Sequence, residues 1–156
     1  KLADQIFQAA DDIEANPPQK INSQTLLPGA LKLLRKLQES KVQCALISND
    51  TRKGIQNFLR KNNLEPIISH IWSAEDLPAK PHPGAVHGLC NYLGLDPAKC
   101  ALIGDADSDM RMARLAGIEI TLGYISGWRQ KPSLKEHQHL IHHWDDLSVI
   151  TSLKLT

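Results

Sequence analysis

Short apolar runs that alternate with segments of helical spacing constrain this chain more than any other feature. The runs are Val42–Ile47, Ile67–Trp72, Cys100–Ile103, Ile118–Leu122 and a weaker Leu140–His143. Runs of this length suit strands buried on both faces of a parallel sheet. Between them lie amphipathic stretches. Pro28 opens one that carries Ala30, Leu31, Leu34 and Leu37 on one side, and Ile55, Phe58 and Leu59 mark a second. A third runs from Pro83 to Leu93 and ends at Gly94; a fourth contains Arg111–Leu115 and is stopped by Gly117. Glycine after the last apolar position is a common helix terminator. Strands alternating with helices predict an α/β domain with a mostly parallel sheet, right-handed crossovers and helices on both faces. Ahead of it, Leu2–Ala10 has helical spacing, Asn16-Pro17-Pro18 breaks it, and a polar linker runs to Thr25. The expected division is a helix and linker over residues 1–25 and the α/β domain over 26–156. There is no internal repeat.

Bulk properties narrow the partners. A chain of 156 residues has room for one domain with a real core. Its formal charge of +1 gives no footprint for nucleic acid or an anionic membrane. No apolar stretch approaches a membrane span, and no basic-then-apolar leader is present. Cys44, Cys90 and Cys100 are odd in number, and Cys44 and Cys100 lie in apolar runs. Reduced thiols and a cytoplasmic location are the expectation.

In folds of this class ligands bind outside the carboxyl ends of the strands. Three polar clusters fall there: Ser48-Asn49, the loop Leu77–Pro83 around Lys80, and Gly104-Asp105-Ala106-Asp107-Ser108-Asp109. The last crowds three carboxylates at a strand-to-helix turn. Like charges that close repel unless solvent or a hard cation offsets them. One reading is an oxygen-ligand site for a divalent ion such as Mg2+; the other is a capped helix start with solvated acids. Ser48 likewise reads either as a helix cap or as an anion ligand beside a helix N-terminus. Lys80 sits among prolines that restrict its loop. As a point charge about 4 Å from a phosphate oxygen it would contribute about 4 kcal/mol at an effective dielectric near 20; alone, it reads as a solvated loop residue.

The order strand-Ser-Asn-helix, Lys-Pro, strand-Gly-Asp-x-x-x-Asp-helix resembles the haloacid dehalogenase superfamily of phosphohydrolases, in its phosphoglycolate-phosphatase-like branch. The resemblance runs from about Leu27 to Leu147. It includes Leu27-Pro28-Gly29 and Met112-Ala113-Arg114-Leu115-Ala116-Gly117. It implies a three-layer Rossmann-like core and a Mg2+-dependent hydrolase of a small phosphate monoester that works through a phospho-aspartate. Ser48 would bind the transferring phosphoryl group with help from Asn49. Lys80 would neutralise phosphate and nucleophile, and Asp105 and Asp109 would hold Mg2+. Asp107 is not a standard member of that motif and is expected behind the metal ligands or facing solvent.

The family also needs an Asp-x-Asp pair at the end of a first, central strand. Its first Asp is the nucleophile and its second the general acid and base. This sequence has no such pair; Asp11-Asp12 lies in a polar helical tail. That strand would lie between the one ending at Ser48 and the one ending at Asp105. The expectation is an N-terminally incomplete chain, with Lys1–Glu14 as the last helix of an early cap; a strand-swapped dimer would also complete the sheet. Alone, the chain is expected to be inactive. Other classes remain: a non-catalytic phosphate-binding or regulatory module, or a sugar phosphomutase on the same scaffold. A dehalogenase needs no metal, and Asp105 with Asp109 argues against it. His137, His139, His142 and His143 read as surface histidines rather than a metal site. His82 and Arg129 are candidates for the rim of the site, and the three tryptophans read as packing residues.

Overall fold

The computed structural model describes residues 26–126 and 134–149. The readings made of Lys1–Thr25, including the helix piece, Asp11-Asp12 and the linker, lie outside the described residues, as does Arg129. The first described helix is α1, Ala30–Glu39. Pro28 precedes it in a turn, and Gly29 caps it in the left-handed region at φ 88°, a conformation that costs glycine little. Strand β1 is Cys44–Ile47, followed by α2, Arg52–Lys61. Strand β2 is Ile68–Trp72 and α3 is Pro83–Leu93, closed by Gly94 at φ 67°. Strand β3 is Ala101–Gly104, α4 is Asp107–Leu115, β4 is Ile120–Tyr124 and β5 is His139–Ile141. All five apolar runs are strands, with ends shifted by one or two residues.

The strands form two parallel sheets rather than one. β1 pairs with β2, from Ala45 beside His70 to Ile47 beside Trp72. β3, β4 and β5 form the other sheet, from Ala101 beside Ile120 to Tyr124 beside Ile141. Among the described residues no hydrogen bonds join β1 to β3. This is the gap expected where a central strand belongs.

Both sheets are nevertheless packed between the same two helical layers. One core joins Leu33 and Leu34 of α1 and Ile55, Phe58 and Leu59 of α2 to Leu46, Ile68, Ile71, Tyr124, Ile141 and Trp144. The other joins Ala85, Val86 and Leu89 of α3 and Met110, Met112 and Ala113 of α4 to Ile47 and Leu102. Side chains alternate across a strand, so Leu46 enters one core and Ile47 the other. That two-sided burial is why these strands read as unbroken apolar runs. Tyr124 and Trp144 stack with ring centroids 4.0 Å apart, which places Trp144 in the core as a packing residue. Trp72 is only partly buried and lies against Gly88 of α3, where a Cβ would fall 2.2 Å from its ring. The third tryptophan, Trp128, lies outside the described residues.

Candidate active site

Four of the polar residues singled out above are buried: Ser48 at 3% exposure, Lys80 at 8%, Asp105 at 2% and Asp109 at 0%. Acids and lysines are almost never this buried unless paired. Lys80 Nζ lies 3.1 Å from Asp109 Oδ1, with both side chains sequestered from solvent. This ion pair joins the loop after β2 to the first turn of α4. It brings two of the three clusters together. Asp105 immediately follows β3, and Asp109 lies in the first helical turn at the positive end of the α4 dipole. Gly104 makes this possible: a Cβ there would lie 2.7 Å from both Cβ and Oδ2 of Asp109.

Ser48 ends β1, where its N–H donates to Trp72 O at 2.9 Å. Its hydroxyl accepts from Asp50 N at 3.1 Å, forming a turn. Ser48 does not cap α2; Thr51 does, its hydroxyl accepting from Gly54 N at 3.1 Å. The cap reading of Ser48 is thereby removed. Asn49 is exposed beside it.

Two other candidates have structural work. His82 caps α3, with Nδ1 accepting from Gly84 N at 3.0 Å. Asp107 is tied to a different loop: its Oδ1 accepts from Lys135 N at 2.7 Å and Glu136 N at 3.1 Å. Glu136 in turn binds Arg111 at 2.7 Å and Arg114 at 2.5 Å. These guanidinium groups, Arg111 first, hold the Glu136 carboxyl below its usual range. A cavity of about 280 Å³ borders this clamp, lined in part by Arg114, Thr121 and Gln138; none of Ser48, Lys80, Asp105 or Asp109 lines it. His143 caps a short turn at Trp144–Asp146, and His139 and His142 are exposed.

A latch that sequence reasoning missed braces the Lys80 loop. Arg52 Nη2 binds Asp76 at 2.6 and 2.5 Å, and Arg52 N donates to Glu75 at 3.1 Å. Ser73 gives Asp76 Oδ2 both its N–H at 2.7 Å and its hydroxyl at 2.8 Å. Burial works to raise the Asp76 pKa, but these donors and the Arg52 charge outweigh it and hold the carboxyl low. The Ser73-x-x-Asp76 spacing was the available signal, since Ser and Asp three apart favour a local turn.

The donor set suits a hard cation. Two buried carboxylates and one ammonium carry, when ionised, one more negative than positive charge. Carboxylate oxygens are what Mg2+ prefers, and it is usually held by one or two of them. Among the described residues no group of three or more His, Cys, Asp or Glu side chains converges as a complete ligand set. Asp105 and Asp109 therefore fit as part of a site.

Comparison with known proteins follows the same lines. Residues 5–122 match the model of the haloacid dehalogenase-like hydrolase family. A phosphoglycolate phosphatase from Pasteurella multocida is 30% identical over 107 residues, covering 66% of this chain and 48% of that protein. The chain spans about half the length of the curated relatives it matches most strongly. A structure reported as a predicted phosphoglycolate phosphatase from Haemophilus somnus superposes with a TM-score of 0.61 at 28% identity, covering 64% of this chain and 44% of that one. A HAD-superfamily hydrolase from Ehrlichia chaffeensis shares the fold, with a TM-score of 0.66 at 24% identity over 78% of this chain and 55% of the other. No described helix is long and apolar enough to cross a membrane.

Proposed function

This chain belongs to the haloacid dehalogenase-like hydrolase family, and on that footing we propose that it carries the core of a Mg2+-dependent phosphomonoester hydrolase. The observation that carries this reading is the buried Lys80–Asp109 pair beside the buried Asp105. Burying charge is costly, and a core stabilised only for folding would do as well with apolar residues. Asp105 and Asp109 would hold Mg2+, which when bound supplies charge neutralisation for a phosphoryl group. Lys80 is tethered by Asp109 and braced by the Arg52–Asp76 latch. In this reading it offsets negative charge on the phosphate and on the attacking carboxylate. Ser48, fixed at the end of β1, offers its hydroxyl to the phosphate oxygens, and Asn49 adds contacts from the rim.

The nucleophile in this reading is an aspartate on a strand that pairs with both β1 and β3. Attack by its carboxylate on phosphorus forms a phospho-aspartate while the second aspartate of the Asp-x-Asp pair protonates the departing alkoxide. That aspartate then takes a proton from water as the water attacks phosphorus, breaks the bond to the nucleophile and releases phosphate. Phosphoglycolate is the first substrate to test, because the curated relatives carry that name. The location that goes with this reading is the cytoplasm.

The test is to assay the product of the complete reading frame, with Mg2+, against an aryl phosphate and phosphoglycolate. Turnover is expected, lost on chelation and lowered on the order of 10²-fold or more by Asp105→Asn. Hydrolysis that survives Asp105→Asn unchanged overturns the metal assignment. Absence of any turnover favours a phosphate-binding module instead.

A further inference from the structure

Helix α4, which carries Asp109 in its first turn, starts without a side-chain cap. The residue at the cap position is Ala106, which has no side-chain oxygen to accept from the free N–H groups of that turn. Alanine there costs a helix about 1 kcal/mol relative to Ser, Thr, Asn or Asp. Of the two acids in the turn, Asp109 pairs with Lys80 at 3.1 Å. Asp107 reaches across to the segment ahead of β5, where its Oδ1 accepts from Lys135 N at 2.7 Å and Glu136 N at 3.1 Å.

That segment is anchored twice more. Glu136 reaches back along α4 to Arg111, from Nε at 3.1 Å and Nη2 at 2.7 Å, and to Arg114 at 2.5 Å. Asp107, Arg111 and Arg114 recur at helical spacing and so share one face of α4. Two residues on, Gln138 joins β4 and its approach. Its N–H donates to Thr121 O at 3.2 Å, its Oε1 accepts from Thr121 N at 2.9 Å, and its Nε2 donates to Glu119 O at 2.7 Å. Residues 135–138 are thus a strap fixed to α4 at one end and to β4 at the other. Asp109, Met110, Met112 and Ala113 are the buried residues of the helix, so α4 is gripped by the strap as well as by the core.

We propose that Asp107 is a positioning residue: through the strap it fixes the uncapped first turn of α4 and holds Asp109 ready for Mg2+. The inference rests on the reading of Asp105 and Asp109 as the carboxylates that hold the metal. Asp107 is not their third partner. Among the described residues no three His, Cys, Asp or Glu side chains converge as a ligand set, and Asp107 Oδ1 already accepts from two N–H groups. A first turn that frays carries Asp109 away with it. A cation must then restore the turn before both carboxylates can reach it, and that cost appears as weaker binding.

The experiment titrates Mg2+ by calorimetry into the purified product of the complete reading frame, as parent, Asp107→Ala and Asp107→Asn. The expected result is a Kd about tenfold higher in Asp107→Ala, the usual effect of removing a group that orients a metal ligand. Asp107→Asn keeps an oxygen to accept from Lys135 N and Glu136 N, and its Kd should stay close to the parent's. Equal weakening in both variants overturns the proposal, because the charge of Asp107 rather than its hydrogen bonds would then be what counts. A parent-like Kd in Asp107→Ala also overturns it and leaves the metal assignment standing. No Mg2+ binding by the parent overturns both. If Asp107→Ala does not fold, Glu136→Ala decides. It removes the hold on Arg111 and Arg114 without altering a carboxylate assigned to the metal. Weaker binding there supports the strap, and parent-like binding overturns it.

Discussion

Gly104 and Asp109 are one structural decision made at two positions. The Asp109 carboxylate occupies the space that any side chain at position 104 would need. Gly104→Ala should therefore displace Asp109 and lower stability by about 1–3 kcal/mol, the usual cost of overpacking. Urea denaturation checks it; a midpoint equal to the parent's would show that the two positions are not coupled. Lys80 and Asp109 form a second such unit. Removing one partner of a buried pair leaves the other charge without it, at a cost of about 3–5 kcal/mol. Lys80→Met should show that loss, and adding Asp109→Asn should recover part of it. A double variant less stable than either single one would argue against the pairing. The carboxylates and the lysine were legible as candidates from their spacing. Their partners were not, because Lys80 and Asp109 are joined only through tertiary packing. The same holds for Asp107 and His82: nothing local shows that one ties down the loop at Lys135 and Glu136 while the other caps α3.

Among the elements, the start of α2 and the loop after β2 are tied by charge. Asp76 is depressed in the folded protein, so its contribution is present above the unfolded value near pH 4 and is lost as pH falls through the lower folded value. Asp146, which accepts from the N–H groups of His142 and His143 and is also held low, has the same sign. Stability should therefore fall as pH drops below about 5, through the unfolded value near 4 and on to the lower folded values. Asp76→Asn should start from a lower midpoint at neutral pH and fall less steeply. Denaturation curves over that range measure it, and an unchanged slope would remove Asp76 from the account. The helices themselves were readable because capping is local. Pro83 opens α3 and Gly94 closes it at the positions their chemistry favours. At α2 the sequence Ser48-Asn49-Asp50-Thr51 offers four capping residues in a row, and only the fold shows that Thr51 is the cap.

At the level of the whole molecule, the two sheets are held side by side by the helices that flank them, and among the described residues no strand hydrogen bonds join them. Ser48 N points to β2, so in a parallel strand the N–H groups of Ala45 and Ile47 point to the opposite edge. Those two amides should exchange rapidly with solvent deuterium in this chain. In a longer form that supplies a strand between β1 and β3 they should become protected. Slow exchange in the chain as it stands would mean that the edge is already covered. The sequence by itself determined the α/β class, the helix layers and the identity of the polar clusters. Period, capping chemistry and two-sided burial are all written within a few consecutive residues. Only the tertiary structure decided that Lys80 pairs with Asp109 and that Arg52 latches Asp76. It alone showed the sheet as two parts. Each of these joins residues distant along the chain, and packing of the layers sets their separation.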